Sequence, residues 1–262
     1  MTRCLWFRVS VVLLIAFESS QSAAAQPPGQ ATPPNTLTPA EKKVGWRLLF
    51  DGKTLAGWRG LGYDTVPSSH WRVEDGAIKK LPSGNVPLQA DGQPLKGGDL
   101  MTSEVFRDFD LSFEWKVAPG SNSGVKYNVS EEFSIAKAGN HAALGFEYQV
   151  LDDSLAEDNK IATHRAGALY DLIAPGDDKR LEPVGRWNQS RIVFRGNHGE
   201  HWLNGRKVVE FELGSARMDS LLARSKYRSI TGFADRRTGH IILQDHNEEA
   251  WYRSLKIRIL GQ

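Results

Sequence analysis

The sequence predicts an all-β fold, a β-sandwich or jelly roll of two stacked antiparallel sheets. Three observations predict it. About a dozen short segments alternate apolar and polar residues with period two, which gives each one buried face. Turn formers (Gly, Pro, Asn, Asp and Ser) separate them. One capped helix is legible, and no strand–helix rhythm signals a parallel sheet.

Composition sets the bounds. The chain has 262 residues with a net charge of +2 and no basic cluster, so nothing points to nucleic acid. Eight Trp lie within an aromatic share of 10%, which suits sheet cores and sugar-stacking surfaces alike. Residues 1–25 read as an export signal: Arg3 and Arg8, an apolar run from Val9 to Phe17, then Ala23-Ala24-Ala25. The apolar run is too short to cross a bilayer, and no later run is long enough. The one cysteine, Cys4, precedes it, so a mature chain would be exported without disulfides and would rely on a sizeable core.

Residues 26–40 are expected as a Pro-rich linker, disordered over Gln26–Leu37, and residues 41–262 as the folded domain. Thr38-Pro39-Ala40-Glu41 carries a capping box with proline at the first helical position. Trp46–Phe50 is the first strand, and His70–Lys80 a hairpin about Glu74-Asp75-Gly76. Leu81–Gly98 is a long Gly/Pro-punctuated loop, followed by a strand from Leu100.

Phe109–Val129 is the organising stretch. Phe109, Leu111, Phe113, Trp115 and Val117 form one face of a strand, and Asp110, Ser112, Glu114 and Lys116 the other. A Pro119–Gly124 turn and a return arm, with Val125, Tyr127 and Val129 against Lys126 and Asn128, read as the second half of a hairpin. Phe133–Gly145 reads as an irregular connection. Strands follow over Gly145–Asp153 and Gly167–Leu172, with a further run over Arg186–Arg195. Asn204-Gly205 marks another hairpin, with His201 on its surface. Ser215–Arg224 reads as a short helix, and Gly239–Asp245 and Trp251–Leu260 as closing strands.

Four segments carry polar groups opposite an apolar face: Glu114/Lys116, Glu147/Gln149, Tyr170 and Gln244/His246. If these faces line one sheet, carboxylates, an amine, a phenol, amides and an imidazole converge. That set suits a hydroxyl-rich ligand such as a sugar, with acid and base in reach. Glu147 stands out because a carboxylate in an otherwise apolar-aromatic strand is costly to bury unpaired. His246 at a strand end and His164 in a loop are further candidates, each with a purely structural alternative. Asp152-Asp153 is either a turn or a metal-ligand pair. No GxSxG elbow, Walker loop, HExxH or Cys/His zinc pattern is present.

The motifs recur in a familiar order: Asp51-Gly52-Lys53, Trp71-x-Val73-x-Asp75-Gly76, Asp108-Phe109 with Glu114-Trp115-Lys116, Asn122-Ser123-Gly124, Glu147 through Asp152, Gly167 through Tyr170, Gly185-x-Trp187-Asn188, Asn204-Gly205, Leu243 through His246, and Tyr252-Arg253-x-Leu255-x-Ile257. Over residues 44–260 the chain resembles the 3-keto-disaccharide hydrolase domain family, long catalogued as a domain of unknown function. The resemblance implies a concanavalin A-like jelly roll with its site on the concave face, and cleavage of glycosides that a separate sugar 3-dehydrogenase has oxidised at C3. Lys116 stands where many relatives carry arginine, and Asn247 where glycine is frequent.

A C3 ketone acidifies the C2 hydrogen, so a base can form an enolate that expels the C1 aglycone, after which water adds to the enone. The base candidates are Glu147 and His246. The enolate would be met by Lys116 or a divalent cation, with Asp152 and Asp153 as candidate metal ligands, and the acid would be Tyr170 or His164. Glu114, Asn122, Tyr127, Gln149, Gln244 and Trp187 are the substrate-binding candidates. Two other readings stay open: a non-catalytic carbohydrate-binding module, and a conventional glycosidase acting on unoxidised glycans.

Overall fold

The alternating segments form two antiparallel sheets whose apolar faces meet. The computed structural model describes residues 1, 32–84, 87, 97–138 and 142–261. The expected export signal over residues 1–25 lies outside the described residues apart from Met1, as do Cys4 and residues 26–31 of the expected linker. The chain divides at residue 31, and the folded unit spans residues 32–262.

Thirteen strands are present among the described residues: β1 (Arg47–Leu48), β2 (Trp58–Gly60), β3 (Trp71–Glu74), β4 (Ala77–Lys80), β5 (Leu100–Thr102), β6 (Phe109–Val117), β7 (Asn122–Val129), β8 (Phe146–Leu151), β9 (Asn188–Arg195), β10 (His198–Leu203), β11 (Arg206–Glu212), β12 (His240–Leu243) and β13 (Ala250–Ile259). One sheet runs β11-β10-β9-β6-β13-β4-β3, with β1 also paired to β13; the other runs β2-β5-β12-β7-β8. The result is the expected two-layer jelly roll.

The core follows from period two. Phe109, Leu111, Phe113, Trp115 and Val117 of β6 are buried against Val125 and Tyr127 of β7 and Phe146, Tyr148 and Val150 of β8. Polar groups caught between the layers are paired. Trp115 Nε1 donates to Ser190 Oγ (2.8 Å), Tyr148 Oη lies 2.7 Å from the same hydroxyl, and Tyr127 Oη is 2.9 Å from His201 Nε2. His201 is therefore a core residue rather than the surface hairpin residue expected. Its side chain points inward, opposite Glu200 and Trp202 on the same strand.

The organising stretch is not a hairpin. β6 pairs with β9 and β13, whereas β7 pairs with β8 and β12, so the turn at Ala118–Ser121 carries the chain from one sheet to the other. Two arms with one apolar face each fit either side-by-side pairing or face-to-face stacking, and the alternation is the same for both. Stacking is what occurs, and it sends the polar faces of the two arms to opposite outsides of the sandwich.

Other differences are local. α1 (Pro39–Lys43) has its capping box, with Thr38 Oγ1 accepting from the Glu41 N–H at 3.1 Å and Glu41 reaching back to the Thr38 N–H at 2.8 Å. Asn35, inside the stretch expected as disordered, accepts from the Ser254 N–H (2.8 Å) and donates to Gly76 O (2.8 Å). α2 (Glu131–Ala138) replaces part of the expected irregular connection and is held by a bidentate Arg59–Glu131 pair. α3 (Ala216–Leu222) starts at a Ser215 cap, as expected. Gly167–Leu172 is no regular strand: it follows the edge of β8 through scattered backbone bonds and turns at Asp171, whose φ is 58°.

Candidate active site

The outward face of the five-stranded sheet is built from alternate positions of three strands. Asn122, Gly124 and Lys126 come from β7, Glu147 and Gln149 from β8, and Gln244 from the end of β12. The β7–β8 register sets Lys126 opposite Glu147 and Gly124 opposite Gln149. This face is covered by the segment through Tyr170 and by the turn Lys226–Ser229, leaving a narrow cleft with a cavity volume of about 10 Å³. Its lining is Asn122, Glu147, Gln149, Tyr170, Lys226, Gln244 and His246.

Glu147 lies at the floor, 3% exposed, with Lys126 Nζ 3.9 Å from its Oε2 and no hydrogen-bond partner for Oε1. Burial raises its pKa above the ordinary carboxylate range, against the opposing pull of Lys126, Lys226 and His246. A Cβ built on Gly124 would stand 2.1 Å from Glu147 Oε1, so the carboxyl occupies space that only a glycine leaves open. Gln149 Nε2 donates to Asn122 Oδ1 (3.0 Å), while Gln149 Oε1 and Gln244 Oε1 are buried without partners. Several acceptors thus face the cleft undersatisfied, as expected of a surface that binds hydroxyls. Asn122 Nδ2 is 3.3 Å from His246 Nε2, which ties the imidazole to the same wall.

Tyr170 forms the opposite wall. Its hydroxyl donates to Asp158 Oδ2 (3.0 Å), and burial together with the Asp158 charge holds the phenol protonated far above its ordinary range. Asp158 also accepts from Asn122 Nδ2 (3.4 Å) and lies 2.6 Å from His164 Nδ1. His164 stands behind Tyr170, its ring stacked on the phenol at 4.3 Å, with Nε2 3.0 Å from Asp171 Oδ1. Burial lowers its pKa, but the two carboxylates outweigh that and raise it. His164 therefore supports the cleft wall and does not line it. Lys226, exposed at the mouth, holds its ammonium 4.4 Å over the Tyr170 ring.

The structure brings together Glu147, Gln149, Asn122, Tyr170, Gln244 and His246 from the sequence candidates. It does not bring Glu114, Lys116 or Trp187, which lie on the outer face of the other sheet because the chain crosses at Ala118–Ser121. Glu114 Oε2 accepts there from Arg253 Nε (2.7 Å) and Ser254 Oγ (3.0 Å), and the Lys116 ammonium sits over Trp187 (5.1 Å) and Trp251 (4.9 Å). Tyr127 points into the core. Asp152 accepts from the Gly120 N–H (2.8 Å) and the Ser154 N–H (2.8 Å), and Asp153 accepts from the Ala166 N–H (2.8 Å) and pairs with Lys179. Their oxygens are spent on turns, so the pair does not fit a metal site.

Among the described residues one other group could hold a metal ion: His198, Glu200 and Glu210 on β10 and β11, whose ligand atoms lie within 4.8 Å of one another. Lys207 Nζ stands 2.7 Å from Glu210 Oε2 and 3.3 Å from Glu200 Oε1 and already supplies cationic charge there.

Sequence reasoning missed Asp158, Lys226 and the role of Lys126. Lys126 was legible as the polar face of β7. Asp158 and Lys226 sit in irregular turns with no periodicity to flag them.

The chain is similar to known proteins over most of its length. Residues 45–258 match the model of the 3-keto-alpha-glucoside-1,2-lyase-like domain. A Bacteroides thetaiotaomicron protein named 3-keto-disaccharide hydrolase is 36% identical over 234 residues, covering 82% of this chain and 79% of that protein. A crystal structure of a Parabacteroides distasonis protein provisionally assigned as a glycosyl hydrolase superposes with a TM-score of 0.74 at 28% identity, covering 87% of this chain and 100% of that one. A second such structure from the same organism gives a TM-score of 0.59 at 25% identity, over 82% and 99%. The chain belongs to the 3-keto-alpha-glucoside-1,2-lyase-like domain family.

Proposed function

We propose that this enzyme cleaves glycosides whose C3 hydroxyl has been oxidised to a ketone, by elimination across C1 and C2 followed by hydration. The observation that carries the reading is Glu147: a buried carboxyl of raised pKa, with one oxygen lacking a partner, at the floor of a cleft rimmed by amides and a phenol. Glu147 takes the C2 proton, and the C–H electrons form the enolate. As the C3 carbonyl reforms, a C1–C2 double bond is made and the C1–O bond breaks. Addition of water at C1 with return of a proton to C2 yields the free 3-keto sugar. The overall outcome is hydrolysis, although the bond-breaking step is a lyase step. The desolvated carboxylate is a stronger base than one in water and keeps the ability to give its proton back.

Lys226, not Lys116, is the ammonium placed to face the enolate oxygen. Asn122, Gln149 and Gln244 bind hydroxyls. Tyr170, kept neutral, turns its one O–H from Asp158 to hydrogen-bond the departing oxygen, which takes its proton from the water that adds at C1, and His246 Nε2 shares the wall with Asn122. Among the described residues, Glu147 is the one carboxylate lining the cleft. That favours elimination over the paired-carboxylate chemistry of ordinary glycosidases.

The first experiment is aglycone release from a 3-keto-glucoside beside its unoxidised parent, with and without a chelator. The expected result is release from the keto substrate alone, unaffected by the chelator. Loss of release with chelator would transfer the enolate role from Lys226 to a bound cation. Cleavage of both substrates would indicate a conventional hydrolase, and glycan binding with no cleavage a carbohydrate-binding module. The reaction requires an upstream sugar 3-dehydrogenase to supply the ketone. We also propose export, since residues 1–25 carry the pattern of a removable signal; N-terminal sequencing of the mature protein tests it.

A further inference from the structure

Five charged side chains are buried beneath the cleft floor. Asp245 is balanced locally, 2.7 Å from Lys80 Nζ and 2.8 Å from His70 Nδ1. Asp99, Lys126 and Glu147 are not. Lys126 Nζ lies 3.9 Å from Glu147 Oε2 and 4.0 Å from Asp99 Oδ2, and donates to Ala143 O at 3.1 Å. All three are at most 3% exposed. Two carboxyls therefore compete for one ammonium, and an uncompensated carboxylate at this depth is costly. A proton held by the trio would remove that cost.

The two carboxyls are unequal. Asp99 accepts from two backbone donors, the Ala143 N–H (2.8 Å) and the Asp245 N–H (2.7 Å), and each favours its anion. Glu147 accepts from no backbone donor among the described residues, and its Oε1 has no partner. We propose that Asp99 and Lys126 are positioning residues that set the charge on Glu147, with Asp99 drawing the ammonium's compensation to itself and leaving Glu147 as the carboxyl that gains and loses the proton. Burial raises the pKa of both carboxyls, and Lys126 opposes this at each. The other ionisable groups facing Glu147 are the Tyr170 phenol, the Lys226 ammonium and the His246 imidazole, none of which changes in the variants below.

The inference rests on Glu147 being the base, and two readouts separate its failure from failure of that reading. Difference infrared titration of the full protein follows the protonated carboxyl band of Glu147, assigned by its loss in Glu147→Gln. In the wild type the band should titrate above the ordinary carboxylate range. Asp99→Asn should move it down in pH and Lys126→Met up, each by about one pH unit or more. The acid limb of the rate profile on a 3-keto-glucoside should move in the same order. A merely structural role would lower stability without opposite shifts. A Glu147 band at or below the ordinary carboxylate range, or variants that shift together or not at all, would overturn the proposal. If one variant fails to fold, the wild-type titration and the other variant decide. Infrared shifts as expected in a protein that leaves keto-glycosides intact would sink the proposed function and leave this inference standing.

Discussion

Glu147 is where charge, burial and backbone geometry meet, and three substitutions test it. Glu147→Gln keeps the shape and removes the base. Single-turnover cleavage of a 3-keto-glucoside should fall by about 10²–10⁴ with an unchanged circular dichroism spectrum. Gly124→Ala places a methyl 2.1 Å from the Glu147 Oε1 position and must push the carboxyl aside. An ångström-scale misplacement of that kind should lower kcat by about 100-fold. Lys116→Ala is the contrasting case. Its ammonium sits over two indoles on the opposite sheet, so kcat/KM should stay at the wild-type value while stability drops by about 1 kcal/mol or less. A large loss of kcat/KM in that variant would mean that the two outer faces are functionally connected.

At the scale of elements, the covering segment matters through the Tyr170–Asp158–His164–Asp171 chain. This chain ties the irregular strip along β8 to the turn that carries Lys226, because the Asp171 carboxylate also accepts from the Lys226 N–H at 2.6 Å. Asp158→Asn should loosen Tyr170 and His164 together, raising KM more than it disturbs the fold. The clamp also makes stability depend on pH. His164 has a raised pKa in the folded protein, so its contribution is fully present below the unfolded value of about 6.5 and is lost as pH rises through the folded value. Thermal denaturation should show that decline in the wild type and not in His164→Gln. An identical pH dependence in the two would mean that the clamp does not stabilise the imidazolium.

At the scale of the whole molecule, His201 links the layers: Nε2 faces Tyr127 Oη of the other sheet and Nδ1 lies 3.2 Å from Gly167 O. Burial lowers its pKa to about 4, so it is neutral in the fold. The sign is opposite to that of His164. The contribution is present above about pH 6.5 and is lost as pH falls toward the folded value, where the unfolded chain alone takes the proton. The sandwich should lose a few kcal/mol of stability between these limits. His201→Gln should flatten that acid limb in urea denaturation, and a limb left intact would assign the acid lability elsewhere.

Much of this protein is determined by local sequence. Period-two alternation dictates strands and their buried faces, Asn204-Gly205 and Asp75-Gly76 dictate tight turns, and Thr38 with Glu41 dictates the cap of α1. Glu147 and Gln149 were legible as polar positions inside an apolar strand for the same reason. Alternation is a property of one strand, however, and which sheet a strand joins is a property of the assembled core. Only tertiary structure decided that β6 and β7 stack instead of pairing, which sent Glu114 and Lys116 away from the cleft, whereas Tyr127 is core by the alternation of its own strand. Only tertiary structure brought in Asp158 and Lys226, which come from turns whose positions depend on what they pack against. The physical reason is one of range: hydrophobic patterning fixes which face is buried, and long-range burial fixes what that face meets.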